Sequence, residues 1–227
     1  MDYKKIIKSR AVRLAILKCL SFVPDKPMLK LQYRIKTGRK LNLKNPQRYT
    51  EKLQWYKLNY KNPLMIQCVD KYDVRAYVES KGLGHILNEC YGVFDQVEDI
   101  DFDALPNQFV LKCTHDSGGL IIVKDKSSLD IPAAKKKLEK CLKRNYFYTG
   151  REWPYQNVKP RIIAEQYLSE LNGLNDYKFY CFSGEMKLLL VVQGRGTSNV
   201  TGDHFDAEGN PVDLAAGSFP RSSSCPE

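Results

Sequence analysis

The sequence predicts an α+β fold with mostly antiparallel sheets, and three observations carry that prediction. Short runs of β-branched and aromatic residues are punctuated by turn-forming residues. One well-marked amphipathic helix stands between the third and fourth run, and a long hairpin follows the fourth. The 227 residues, 43% of them hydrophobic, suffice for one large or two small domains with a real core.

The N-terminal quarter is set apart by charge. Residues 1–62 hold 17 Lys and Arg against 3 Asp and Glu, whereas residues 63–227 hold 19 against 23, so the whole net charge of +10 comes from the first segment. A basic arm over residues 1–44 is therefore expected ahead of a body over 45–227. In the arm, Ile7, Ala11, Leu14 and Leu17 recur at helical spacing with Lys4, Lys8, Arg10 and Lys18 around them. Arg10, Arg13 and Lys18 leave it too charged to span a bilayer, and it has no signal-peptide cleavage pattern. Two readings stand: an amphipathic helix on an anionic membrane face, or a helix packed on the body with its lysines solvated. No nucleic-acid module follows, which argues against nucleic acid as a partner. The seven scattered cysteines form no C-x-x-C pair, so a zinc knuckle and a disulfide framework are both unsupported, and a cytoplasmic location fits, peripheral at the inner membrane face if the arm docks.

The body begins with "NPQRYTEKLQWYKL", where Thr50 is read as the cap of a helix carrying Leu53, Trp55 and Leu58. "LMIQCVDKYDVRAYVESKGLG" reads as one further helix, ended by Gly82 and Gly84. "HILNECYGVFDQV", "QFVLKCT" and "GLIIVKD" read as strands. "SSLDIPAAKKKLEKCLKRNYF" reads as a helix capped by Asp130 with Pro132 in its first turn. "RIIAEQYL" is a strand, and "NDYKFYCFSGEMKLLLVVQG" a hairpin turning at Ser183-Gly184. From Thr197 the tail is rich in Gly, Ser, Asp and Pro and does not read as a finished core.

Three clusters could carry chemistry. In "LKCTHDSGG", Gly118 and Gly119 free backbone N–H groups to converge as an anion nest, and Lys112 adds a full charge at the end of its strand. An ordinary Gly-Gly hairpin is the competing reading, since the spacing is not that of a P-loop. Cys113 and His115 lack the further partners of a nucleophile or metal site, and Cys113 reads as packing. In "RIIAEQYLSE", backbone groups at Glu165, Gln166, Tyr167 and Leu168 could pair an adenine edge, and Glu165 or Glu170 could accept from a ribose hydroxyl. Asp176 and Lys178 share a sheet face by alternation. In "VDKYDVRAYV", Lys71 and Arg75 sit one helical turn apart. Solvated charge explains the last two clusters equally well.

In order, "NPQRYTEKLQWYKL", "VDKYDVRAYV", "LPNQFVLKCTHDSGG", "GREWPYQNVKPRIIAEQYL" and "DYKFYCFSGE" resemble the TupA-like (teichuronopeptide biosynthesis) branch of the ATP-grasp proteins, over about residues 45 to 195. The resemblance implies ATP held between two small α+β subdomains. Lys112 and Lys71 would contact its phosphates. His115, Asp116, Ser117, Gly118 and Gly119 would form the loop closing over them. Gln166, Tyr167 and Leu168 would line the adenine with Glu165 nearby, and Lys178 would face the transferred phosphoryl group or the acceptor. The implied activity is an ATP-dependent amide ligase acting on a polysaccharide precursor at the cell surface polymer's amino-acid or uronic-acid component. A nucleotide-sugar glycosyltransferase, as such proteins are often labelled, is the alternative. Against it, the nearest string to a D-x-D motif is "DIDFD", in an acidic loop.

The resemblance also implies Mg²⁺ bound by carboxylates on strands beyond the hairpin. Asp203, Asp206, Glu208 and Asp213 lie in a Gly-rich stretch that reads as a connecting loop. The chain is therefore expected to stop before its metal-binding half, with the Mg²⁺ ligands beyond residue 227, and alone to be inactive or poorly folded.

Overall fold

In the computed structural model, residues 9–169, 173–217 and 219–222 are described, and the chain divides into two units, Met1–Tyr167 and Leu168–Glu227. Among the described residues the first begins with a helical pair, α1 (Arg10–Cys19) and α2 (Asp25–Thr37), joined through a single 3₁₀ turn at Leu20–Phe22. Ser9 caps α1 by accepting from the Val12 N–H, and Gly38, at φ 71°, takes the left-handed conformation that closes α2. Lys4, Ile7 and Lys8 of the expected arm helix lie outside the described residues. Helix α3 (Tyr49–Asn59) follows. Its start corrects the expected cap. Buried Glu51 reaches back to the N–H groups of Gln47 and Arg48, at 3.1 and 3.0 Å, while the Thr50 hydroxyl bonds the Tyr33 hydroxyl at 3.1 Å.

The single helix expected over "LMIQCVDKYDVRAYVESKGLG" is two, α4 (Leu64–Val69) and α5 (Asp73–Ser80). Asp70 makes the break: its carboxylate accepts from the N–H groups of Tyr72 and Asp73, at 2.7 and 3.1 Å, and starts a new helix. Lys71 consequently stands in the turn between helices rather than one turn below Arg75 on a common face.

The first sheet comprises β1 (Cys90–Phe94), β2 (Phe109–Cys113), β3 (Leu120–Val123) and β4 (Ile162–Gln166), in the order β1-β4-β2-β3 with every pair antiparallel. Between β3 and β4 lie α6 (Ile131–Leu142) and the short α7 (Phe147–Gly150). Asp130 caps α6 through the Ala133 N–H at 2.9 Å, with Pro132 in the first turn as expected. Phe109, Leu111 and Cys113 of β2, Ile162 and Ala164 of β4, and Leu138 and Cys141 of α6 form one buried cluster. Alternation along a strand then puts Val110, Lys112, Ile163 and Glu165 on the opposite face of the sheet.

The second unit is a sheet in the order β5-β6-β7-β8, all antiparallel. β5 (Leu174–Phe182) and β6 (Glu185–Arg195) turn at Ser183-Gly184, whose φ values of 53° and 84° match the twist of a two-residue hairpin. The tail read as a connecting loop instead supplies β7 (Thr201–Phe205) and β8 (Pro211–Val212). Pairing of Leu190 with His204 and of Val192 with Gly202 brings that segment onto β6, and Ala216, Val200 and Phe219 pack with Leu190 and Val192. Long-range strand pairing has here overridden a turn-rich composition.

Candidate functional site

Strand register builds the charged centre of the first unit. Val110 of β2 stands opposite Glu165 of β4, so Lys112, two residues along, is the diagonal neighbour of Glu165 on the same face. The Lys112 ammonium pairs with the Glu165 carboxylate. Arg75 approaches the other carboxylate oxygen at 3.9 Å and donates to the Asn88 carbonyl at 2.7 Å. Glu165 is only 6% exposed, so its charge is held by two cations rather than by water. Lys112 also pairs with Leu120 at the base of the β2–β3 hairpin, which places it directly beneath the loop 113–119.

The root of that loop is pinned from three sides. The Lys71 ammonium donates to the carbonyls of Cys113, Thr114 and Asp116 at 3.0, 3.0 and 2.6 Å, which uses all three of its N–H donors. Phosphate contact by Lys71 would require exchanging one of these bonds. Burial, and next the Lys112 charge, push the Lys71 ammonium below its usual pKa range. Thr114 gives its N–H to the Arg161 carbonyl at 2.9 Å and its hydroxyl to Asp70 at 3.2 Å. Arg161 in turn bridges Asp70 and Asp73, at 2.9 and 2.8 Å. Asp116 is buried and neutralised by Arg144 at 3.1 Å, so a carboxylate in the loop does not repel an incoming anion.

Beyond this root, Ser117 and Gly118 are exposed. The two glycines have different reasons. Gly118 has φ 98°, a backbone closed to most side chains, whereas a Cβ on Gly119 would lie 2.9 Å from the Cys141 sulfur of α6. Gly119 is thus required by packing and Gly118 by the turn. His115 is 2% exposed, and neither ring nitrogen has a hydrogen-bond partner of good geometry. Burial lowers its pKa, with Asp116 and the backbone of Arg144 and Cys141 pulling weakly the other way. It is a buried imidazole at the root of the loop, not a donor at its exposed tip. Cys113 is buried too, its thiol pushed up to about 12 by desolvation, which suits packing and not nucleophilic attack.

Gln166 ends β4 with its N–H donated to the Glu89 carbonyl at 2.9 Å, so that donor is already committed. Tyr167 is half-buried beneath the Lys124 ammonium, 6.0 Å from the ring centre. Leu168 is exposed and opens the second unit, and Glu170 lies outside the described residues. In the second unit Lys178 pairs with Asp176 at 2.9 Å, confirming a shared face, and Asp176 also accepts from Arg195 at 2.7 Å.

A family model described as TupA-like ATPgrasp matches residues 51–220, most of the chain. The chain belongs to the TupA-like ATP-grasp family. Comparison with curated proteins and with solved structures gave no match. A general ATP-grasp ligase role follows from the family, and ATP-grasp proteins generally bind ATP and Mg²⁺. In this TupA-like chain, Lys112, Arg75 and the backbone of the loop tip offer the positive charge and donors that fit a nucleotide's phosphates. For Mg²⁺ the fit is poor. Among the described residues no three His, Cys, Asp or Glu side chains are grouped to hold a metal ion. Asp203 is on strand β7, not in a loop, but it accepts from the Ser222 N–H; Asp206 caps its own turn through Glu208 and Asn210, and Asp213 pairs with Arg221.

Sequence reasoning reached Lys112, Glu165 and Arg75 but not their convergence, and it missed Thr114, Arg144 and Arg161. Asp70 interrupts an apolar run, but its partners Thr114 and Arg161, 44 and 91 residues away, leave no local signal.

Proposed function

We propose that this TupA-like ATP-grasp chain is an ATP-dependent carboxylate–amine ligase acting on precursors of a cell-surface polysaccharide. In that reaction a carboxylate takes the terminal phosphoryl group of ATP, and an amine then displaces phosphate from the acyl phosphate. The observation that carries the nucleotide part is the convergence of Lys112 and Arg75 on buried Glu165, at the base of a loop pinned at its root and exposed at its tip. Two cations on one carboxylate leave positive charge where a polyanion can be held, and phosphoryl transfer depends chiefly on such positioning and charge neutralisation.

In this reading Lys112 meets the phosphates, with Ser117, Gly118 and Gly119 covering them through backbone N–H groups. Gln166, Tyr167 and Leu168 flank the adenine, and Glu165 holds Lys112 in place. Lys178, once exchanged from Asp176, faces the acceptor. The carboxylates described do not make a magnesium site, so no step is assigned to the metal. The polysaccharide precursor is inferred from the family resemblance alone.

Titration of the protein with MgATP, in competition with ADP and with UDP-glucose and UDP-glucuronate, tests the proposal. Binding of MgATP displaced by ADP but not by either UDP-sugar supports it. Binding of a UDP-sugar with none of MgATP overturns it in favour of glycosyl transfer.

A further inference from the structure

Helices α1 and α2 carry a surface that the nucleotide reading does not use. Among the described residues no helix is long and apolar enough to cross a membrane. Yet Val12, Ile16, Phe22, Leu31 and Ile35 of this pair all stand exposed, Phe22 to 80%. Ile16, Leu31 and Ile35 line one groove between the helices, about 350 Å³ in volume, with Arg13 and Lys36 also in its wall. Phe22 projects from the turn that joins them.

The helical pair is itself strongly basic. Residues 9–44 contain ten Lys and Arg and a single carboxylate, Asp25. That carboxylate is already neutralised, by Arg151 at 3.2 Å. Arg151 is itself buried, donates to the Leu20 carbonyl at 2.9 Å and stacks over Phe147 and Tyr148. The helical pair is thus tied to α7 through its own turn, and residues 9–44, with ten cations and one carboxylate, carry a net charge of +9. A nucleic acid would use the cations but leave Phe22 and the aliphatic groove in water. An anionic bilayer uses both, taking apolar side chains below its headgroups and cations at their level.

We infer that α1, the Leu20–Phe22 turn and α2 form a docking face for an anionic lipid surface, with Phe22 and the Ile16–Leu31–Ile35 groove entering the headgroup boundary. This face stands independently of the nucleotide site, so failure of either leaves the other standing.

The test is co-sedimentation of the full chain with vesicles of phosphatidylcholine alone and of phosphatidylcholine with 30% phosphatidylglycerol, at about 0.1 M and 0.5 M salt. Expected is binding to the anionic vesicles, little to the neutral ones, and a large loss at the higher salt. The variant Phe22→Ser/Ile35→Ser should lower binding roughly tenfold or more without changing the melting temperature, since both side chains are exposed. Lys26→Glu/Lys30→Glu should lower it by about fivefold or more per cation. Phe179→Ser, an exposed aromatic of β5, is the control and should leave binding unchanged. Binding to neither vesicle overturns the inference, as does equal binding to both. Native binding by Phe22→Ser/Ile35→Ser, or loss of binding in the Phe179 control, overturns it as well.

Discussion

Replacing Arg161 with Met should destabilise the first unit by about 3 kcal/mol, because it leaves the Asp70 carboxylate buried without its ion-pair partner. Asp70 is 2% exposed and accepts four hydrogen bonds, from the N–H groups of Tyr72 and Asp73, the Thr114 hydroxyl and the Arg161 guanidinium. Breaking a buried pair by removing one partner typically costs about 3–5 kcal/mol, and the three bonds that survive put this case at the lower end. The second Arg161 contact, to half-exposed Asp73, adds at most about 0.5 kcal/mol. With a urea slope near 3 kcal/mol/M, the midpoint should fall by about 1 M. Asp70→Asn in the Arg161→Met background removes the stranded charge and should recover about 1–2 kcal/mol, so the two substitutions should be far from additive. Because the same pair holds Thr114, proteolysis within the loop 114–119 should accelerate in Arg161→Met. A cost under about 1 kcal/mol, or full additivity in the double variant, would refute the reasoning.

Acid sensitivity should trace to His115. Its folded pKa lies below the ordinary value, so the unfolded chain binds the extra proton: the stability is complete above about pH 6.5 and falls as the pH drops through that value, by at most about 1.4 kcal/mol per pH unit. His115→Met should flatten the difference between urea midpoints at pH 7.5 and 5.5, and an unchanged difference would remove His115 as its source. Gly119→Ala should cost about 1–3 kcal/mol by forcing a Cβ against Cys141, and Gly118→Ala about 1 kcal/mol through its backbone alone. Thermal melts of the two variants check the order; an equal or reversed cost would contradict the packing assigned to Gly119.

What was legible in the sequence were features whose cause is local. Asp130 and Pro132 announce α6 because a cap and a first-turn proline act within three residues. Ser183-Gly184 announces the β5–β6 turn because positive φ is needed on the spot. Features whose cause is distant were not legible. Asp70 breaks the expected helix because Thr114 and Arg161 make a buried carboxylate there worthwhile, and β7 forms in a turn-rich tail because β6 offers it a ladder. At the site itself the residue types were readable, Lys112, the glycines and Glu165 among them. Their geometry was not, since only the β2–β4 register makes Lys112 and Glu165 neighbours. The division of labour between Lys71 and Lys112 likewise emerges only in three dimensions: one holds the loop's carbonyls, the other stands at its base with Glu165.

The central claim, that the Lys112–Glu165 pair is the nucleotide-binding centre, is tested most directly by a charge-balanced variant. Lys112→Met/Glu165→Gln removes both members together, and Arg75, which also approaches Glu165, keeps its bond to the Asn88 carbonyl. Calorimetric titration with MgATP should find binding by the native protein and a loss of at least about tenfold, or about 1.4 kcal/mol, in the double variant, with the melting temperature of the two alike. Native affinity for MgATP in the folded double variant would contradict the account.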